Sequence, residues 1–178
     1  MKKKILFAGI FMASASLILL SCEKELNQPK IQVNEPASSA SDKKESLAPA
    51  YDLNVKLFGE GNKHGKIQFR QDPDPAKIIT LDIKVHHLDA NGEYLLQRAV
   101  DAPNVVDGNC TSTTWLTLGK GLVPQSIFTD IHGKGEAELW RDVSAVASGT
   151  AFDIHFRVID AVTLAVVLTS DCYQYQVR

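Results

Sequence analysis

Apolar and polar residues alternate with a period of two along much of the chain from residue 51 to the C-terminus. Successive side chains of a β-strand point to opposite faces of a sheet, so this alternation predicts strands with one buried and one solvated face. No stretch of ten or more residues there has its apolar positions at helical spacing. The clearest segments are 51–57, 79–86, 152–158 and 173–177, and shorter candidates are 66–70, 94–100, 114–118, 136–141 and 164–168.

Residues that favour tight turns separate these segments. Residues 89–92 (Asp-Ala-Asn-Gly), 132–135 (His-Gly-Lys-Gly) and 160–163 (Asp-Ala-Val-Thr) each lie between two predicted strands. About eight or nine short strands joined in this way favour an all-β fold, an antiparallel β-sandwich of Greek-key or immunoglobulin-like type. Asp101 to Asn109 fits no strand and predicts a long loop, which is where binding residues often occur.

The first 21 residues have the composition of a secretory signal. Lys2, Lys3 and Lys4 precede an apolar run from Ile5 to Leu20. A basic start followed by a short apolar segment is typical of signal peptides. Because the run is shorter than the roughly 18 to 20 residues that a membrane-spanning helix needs, we expect residues 1–21 to be removed.

Leu19-Leu20-Ser21-Cys22 at the end of this segment resembles the lipobox of bacterial lipoproteins. The resemblance implies that Cys22 receives a diacylglycerol, that cleavage occurs before it, and that acyl chains hold the protein to a membrane outside the cytoplasm. Two or three buried acyl chains make such an anchor effectively permanent. By the same resemblance, Glu23 favours the outer membrane, and Glu23-Lys24-Glu25 resembles an acidic tag for surface display; the periplasmic and surface faces both stay open.

Residues 22–50 and 51–178 differ in composition. The first stretch is rich in Ser, Ala, Pro, Lys and Glu, with almost no large apolar residue after Val33. It cannot bury enough surface to offset its chain entropy and is predicted to be a disordered tether. The second has the usual size of one domain. Without the three signal-peptide lysines the chain has 16 basic and 21 acidic residues, a net charge of −5, which argues against nucleic acid as a partner.

Cys110 and Cys172 are the two cysteines left once Cys22 is lipidated. An even number of cysteines in an oxidising compartment predicts a disulfide between them. A redox role would favour closely spaced cysteines such as Cys-x-x-Cys, which the sequence lacks. We therefore interpret the predicted bond as structural.

Parts of the domain resemble the copper/zinc superoxide dismutase β-sandwich: residues 65–69 (Gly-Lys-Ile-Gln-Phe), 129–135 (Thr-Asp-Ile-His-Gly-Lys-Gly) and the cysteine-bearing segment 166–172. This likeness concerns the fold and supports no function by itself. The metal site of that family needs a His-x-His pair and further histidines in the next loop, because several imidazoles must converge on each metal ion. Here residues 94–97 read Tyr-Leu-Leu-Gln and residues 101–109 contain no histidine, so no metal or other cofactor is predicted.

The five histidines are interpreted as surface residues. His86 and His87 are adjacent, and neighbours on a regular strand point to opposite faces, so the two should not bind one ion together. His155 shares the polar face of its segment with Asp153 and Arg157, which predicts a solvated stripe.

Trp140 and Trp115 are the candidate ligand-binding residues. With Tyr173 and Tyr175 they would form an aromatic platform for a sugar or a peptide, although such rings more often pack in a core or against a sheet. Trp140 falls on the polar parity of its segment, beside Arg141. That position makes it the best candidate for an exposed ring.

These observations predict a non-enzymatic, membrane-anchored β-sandwich lipoprotein that acts as a binding or structural accessory module at the cell envelope. Its partner would be an envelope protein or a glycan. The sequence contains no Gly-x-Ser-x-Gly, phosphate-binding loop or His-Glu-x-x-His motif, so no catalytic residue is assigned. The alternative is a degenerate superoxide-dismutase-like domain with a metal-dependent activity.

Overall fold

The described part of the chain is one curled β-sheet. The computed structural model describes residues 50–178, and the predicted signal peptide, Cys22 and the rest of the tether lie outside them. These residues form no helix, and therefore none long and apolar enough to cross a membrane. The strands are β1 (Leu53–Phe58), β2 (His64–Gln71), β3 (Ile78–His86), β4 (Glu93–Val100), β5 (Leu116–Thr117), β6 (Gly119–Lys120), β7 (Val123–Pro124), β8 (Ser126–Phe128), β9 (Gly135–Asp142), β10 (Ala151–Asp160), β11 (Val166–Ser170) and β12 (Tyr173–Gln176).

The strands make a mixed, nearly closed, barrel-like sheet. On one side β1, β2, β3 and β9 lie next to one another, each antiparallel to its neighbour. On the other side β10 is central, because β4 pairs along one of its edges while β12 and then β11 pair along the other. β11 also pairs with β1 and so joins the two sides.

A strip of short strands over residues 116–129, which we call the closing strip, links β4 to β9. β5 and β8 pair with β4, and β6 pairs in parallel with β9 through Lys120 and Trp140. A further bridge joins Thr129 to Gly135. These pairings bring the two ends of the sheet together.

The alternating pattern predicts the eight longer strands but not the closing strip. Each predicted segment contains strand residues, although segment 114–118 holds only the two-residue β5. β6, β7 and β8 have two or three residues each, too few to show an alternation. The all-β class is confirmed. A sandwich of separate sheets with eight or nine strands is not, because the closing strip adds short strands and links the strands into one sheet.

The apolar positions of the alternation form one core. In β1, Leu53, Val55 and Leu57 are buried and the residues between them are exposed. Strands β2 and β3 follow the same rule. Burying each such side chain contributes roughly 1.5 to 3 kcal/mol, so the parity of these strands fixes which face turns inward.

Two core-facing positions carry arginine. On β4, Arg98 has the parity of the buried Tyr94 and Leu96. On β9, Arg141 has the parity of the buried Leu139. Each arginine continues the apolar parity of its strand, and the alternation therefore places it on the inner face.

The chain enters the domain beside its C-terminal strand. The Ala50 backbone N–H donates to the Gln174 carbonyl at 3.1 Å, and the Ala50 carbonyl accepts from the Gln176 N–H at 3.0 Å. Ala50 thereby forms a parallel bridge with Tyr175 of β12. The first described residue is thus held by the last strand.

The disulfide predicted from the sequence is present. Cys110 and Cys172 are bonded, with their Cα atoms 5.4 Å apart and a sequence separation of 62 residues. Cys172 lies between β11 and β12, which pair with different parts of β10. Cys110 lies in the long connection over residues 101–115, so the bond fixes that connection to the sheet.

Removing this disulfide should destabilise the domain strongly. Closing a loop of this length restricts the unfolded chain by about 4 kcal/mol at 25 °C in the loop-entropy account. We expect Cys110→Ser combined with Cys172→Ser to lower the free energy of unfolding by roughly 3 to 5 kcal/mol, measured by urea denaturation. Thr113→Ser, an exposed change in the same loop, should have no effect. Equal midpoints for the double variant and the parent would contradict a structural role.

Candidate functional site

Trp140 lies on the outer face of the sheet, with 40% of its surface exposed. Its cross-strand neighbours are Thr80 on β3 and Lys120 on β6. Leu139, the preceding residue, faces the core, so the alternation of β9 turns the indole ring outward. The ring is therefore a large apolar surface on a regular strand, in contact with solvent.

The closing strip supports the Trp140 ring. A Cβ atom at Gly121 would lie 2.8 Å from Cη2 of Trp140, and Gly121 has a φ of +67°, which glycine adopts without strain. The Gly121 N–H donates to the Trp140 carbonyl at 2.9 Å. Arg141 Nη1 donates to the Gly121 carbonyl at 3.1 Å. These contacts fix the ring relative to β9.

Two adjoining depressions, which we call the outer groove, extend along this face from Trp140. The depression beside Trp140 has a volume of about 240 Å³ and is also lined by Thr80, Asp82, Lys120 and Glu138. The second, of about 590 Å³, shares the last three of these residues. It extends over Gln68, Ile83, Lys84, Glu136 and Ala137.

The outer groove carries charges of both signs. Asp82 and Glu138 lie directly opposite each other on β3 and β9, and neither has an ion-pair partner within residues 50–178. Lys84 pairs with Glu136 at 2.9 Å, and the hydrogen bond and charge of Glu136 raise the pKa of Lys84. The groove thus combines an exposed ring, two unpaired carboxylates and cationic donors.

Trp115, the other candidate tryptophan, lies elsewhere. Its ring contacts two side chains of β10: the His155 ring, 4.6 Å away between centroids, and the Arg157 guanidinium, 4.1 Å from the ring centroid. Arg157 Nε donates to Gln97 Oε1 at 2.7 Å. Trp115 is half-buried, and Trp140 is the tryptophan that lines the outer groove.

The two C-terminal tyrosines do not extend an aromatic platform. Tyr175 is 3% exposed, and its hydroxyl donates to Gln71 Oε1 at 2.7 Å. Tyr173 is half-buried, and its hydroxyl accepts from the Lys56 backbone N–H at 2.9 Å. Both hydroxyls are used within the fold.

Asp153 is buried beneath the loop over residues 101–115. It is 1% exposed, and its Oδ2 atom accepts from the backbone N–H groups of Asp107 and Gly108, each at 2.9 Å. The solvated stripe predicted around His155 is therefore wrong at Asp153, because the loop covers that part of the outer face of β10. The sequence alternation shows which face a residue takes but not which loop lies over it.

Asp101 fixes the same loop from the other end. Its carboxylate accepts from the backbone N–H groups of Thr111 and Ser112, at 2.8 and 2.7 Å, and from the Thr111 hydroxyl at 3.0 Å. Burial raises the pKa of Asp101, but these hydrogen bonds together outweigh burial and the pKa is lowered. The loop predicted as a place to look for a binding site is thus held by carboxylates and by the disulfide.

Three histidines come together where β2 begins and β3 ends. His64 faces His86 across these strands, with ring centroids 5.1 Å apart, and the His87 ring lies 5.5 Å from His64. His87 follows the end of β3 with a φ of 59°. His86 and His87 both lie beside His64, because the regular strand stops between them. Within residues 50–178, no group of three or more His, Cys, Asp or Glu side chains is arranged to hold a metal ion.

Comparison with known proteins does not identify a family for this chain. No protein family matches the sequence, and neither does any curated protein. A function has to be inferred from the residues and the geometry described above.

The histidine cluster should make stability depend on pH. Burial, then the positive charge of a protonated His64, and then Lys134, His87 and Lys66 lower the pKa of His86. An unfolded histidine has a pKa of about 6.5, so the folded state binds this proton less readily than the unfolded state. The stability linked to His86 is fully present above about pH 6.5 and is lost as the pH falls toward the lowered pKa.

We therefore expect His86→Gln to lose less stability than the parent between about pH 7.5 and about pH 5.5. Urea denaturation of both proteins at the two pH values measures the difference. His132→Gln, an exposed histidine outside the cluster, serves as the matched control and should behave as the parent does. The same pH dependence in His86→Gln and the parent would show that His86 has no such role.

Proposed function

We propose that this protein is a non-enzymatic binding module, lipid-anchored at Cys22 to the outer membrane, that binds a glycan of the cell envelope in its outer groove. The observation that carries the proposal is the exposed Trp140 ring next to the unpaired carboxylates of Asp82 and Glu138. An envelope protein is the other class of partner that the sequence favours.

A sugar suits this combination of groups. One face of a sugar ring presents C–H groups that stack on an aromatic ring, and Trp offers the largest such surface among side chains. The hydroxyls at the edge of the sugar donate to carboxylates such as Asp82 and Glu138 and accept from an ammonium such as Lys120. Because the groove carries both signs of charge, it favours a neutral polyhydroxylated ligand over a strongly charged polymer.

The position of Trp140 favours binding without a large rearrangement. Its backbone belongs to the regular strand β9, and its ring rests against Gly121. A ring that is already held loses little conformational freedom when a ligand stacks on it.

Anchoring at Cys22 has its own test. The parent chain, expressed in a bacterium, should sediment with membranes and resist extraction at high salt, because acyl chains do not depend on electrostatic attraction. Cys22→Ser should appear in the soluble fraction instead. Cys110→Ser removes a cysteine from the folded domain and should stay with the membranes. Membrane retention of Cys22→Ser would contradict the lipid anchor.

Trp140→Ala should weaken glycan binding while leaving the fold intact. We expect the full chain, purified in a nonionic detergent, to bind at least one class of envelope glycan in a glycan-array screen. Calorimetry should then show binding about tenfold or more weaker in Trp140→Ala, since central aromatic residues in a binding site often contribute roughly 2 kcal/mol or more. Phe128→Ala removes another exposed ring, 63% exposed on β8, and should bind as the parent does.

Four outcomes would contradict this proposal. Absence of glycan binding would show that the ligand is not a glycan. Equal affinities for Trp140→Ala and the parent would show that the outer groove is not the binding site. Turnover of a bound glycan would show that the protein is an enzyme. Stoichiometric metal in the purified chain, together with a metal-dependent activity, would favour the alternative of a degenerate superoxide-dismutase-like domain.

A further inference from the structure

A second site lies inside the barrel. A cavity of about 80 Å³ lies among the core-facing residues, and its lining is apolar apart from Arg98, Arg141 and Tyr175. The Tyr175 hydroxyl already donates to Gln71. Phe69, Leu81 and Phe152 are among the apolar side chains that line it. None of these residues belongs to the outer groove.

Neither arginine has an anionic partner in the described part of the chain. Within residues 50–178, no carboxylate lies in ion-pair distance of Arg98 or Arg141. Arg141 donates one side-chain hydrogen bond, to the Gly121 carbonyl, and the guanidinium of Arg98 has no hydrogen-bond partner in that range. Burial, and then the like charge of Arg141, lower the pKa of Arg98. A guanidinium nevertheless stays protonated in proteins, so two like charges face one apolar space.

An anion would satisfy the guanidinium donors that have no partner within the fold. A cation that loses hydration against apolar walls is unfavourable without a hydrogen-bonded counter-charge. A carboxylate accepts two parallel N–H bonds from one guanidinium, the strongest such pairing available to arginine. The charge of the site therefore selects an anion, and its walls select an apolar group attached to that anion.

We propose that this cavity binds a small monocarboxylate with a short apolar tail, held by Arg98 and Arg141. The volume sets the length of the tail. A water molecule occupies about 30 Å³ in the liquid, so 80 Å³ admits roughly three groups of that size. A chain of about three carbons lies in the cavity, and the carboxylate lies between the two guanidinium groups.

Butyrate is the probe that this size and charge specify. Calorimetric titration of the full chain in nonionic detergent should show saturable binding with one site per chain. Butyramide has the same shape without the charge and should bind about tenfold or more weakly. Propylphosphonate, with the same three-carbon tail and a larger anion, should also bind less tightly than butyrate.

Arg98→Met and Arg141→Met should each weaken butyrate binding by about tenfold or more. Methionine keeps an unbranched apolar stem at the wall, so the lost element is the charge. Arg70→Met is the matched control, because Arg70 is exposed on β2 and does not line the cavity. Without ligand, Arg98→Met should melt at or above the temperature of the parent, since it removes an unpaired charge.

Several results would overturn the inference. Butyramide binding as tightly as butyrate would show an apolar cavity without anion recognition, and absence of saturable butyrate binding would show that the arginines are satisfied by water alone. Tighter binding of propylphosphonate would show that the site prefers a phosphonate to a carboxylate head group. If Arg98→Met melts below the parent and binds butyrate normally, Arg98 has a structural role only. Trp140→Ala should bind butyrate as the parent does. The test of this cavity is therefore independent of the test of the outer groove.

Discussion

The joining of β4 to β9 by the closing strip is the constraint on which the rest of this molecule depends. A curled sheet has two long strands at its ends, and unpaired N–H and C=O groups along them would be costly to bury and prone to pair with other chains. Here four strands of two or three residues link those ends. The same strip holds Gly121, which supports the Trp140 ring on the outside and accepts a hydrogen bond from Arg141. One thin segment therefore positions both the outer groove and one wall of the inner cavity.

The fold shows where local patterns determine structure and where they do not. Strands such as β1 and β3 bury alternate residues over six and nine positions, and that repetition is visible in the sequence because each apolar position contributes separately to the core. The closing strip has no such repetition. Its strands exist because β4 and β9 are already near them, and such tertiary pairing cannot be inferred from two residues of sequence.

The candidate sites also differ in how far the sequence predicts them. The outward position of Trp140 comes from the parity of β9 and could be predicted. The carboxylates beside it required the register that places Asp82 opposite Glu138, and the histidine cluster required the register that places His64 opposite His86. Arg98 was predictable in principle, since a charged residue on an apolar parity is a strong departure from the pattern. Asp153 was not, because its burial depends on a loop folded over it.

If the anchor proposed at Cys22 holds this protein to a membrane, the position of Ala50 has a mechanical consequence. Any pull along that segment reaches the fold first at the two hydrogen bonds between Ala50 and β12. The residue immediately before β12 is Cys172, which is covalently bonded to Cys110. Force would therefore pass through two hydrogen bonds to β12, and from there through the disulfide to the loop over residues 101–115. The last strand of the chain would carry the load.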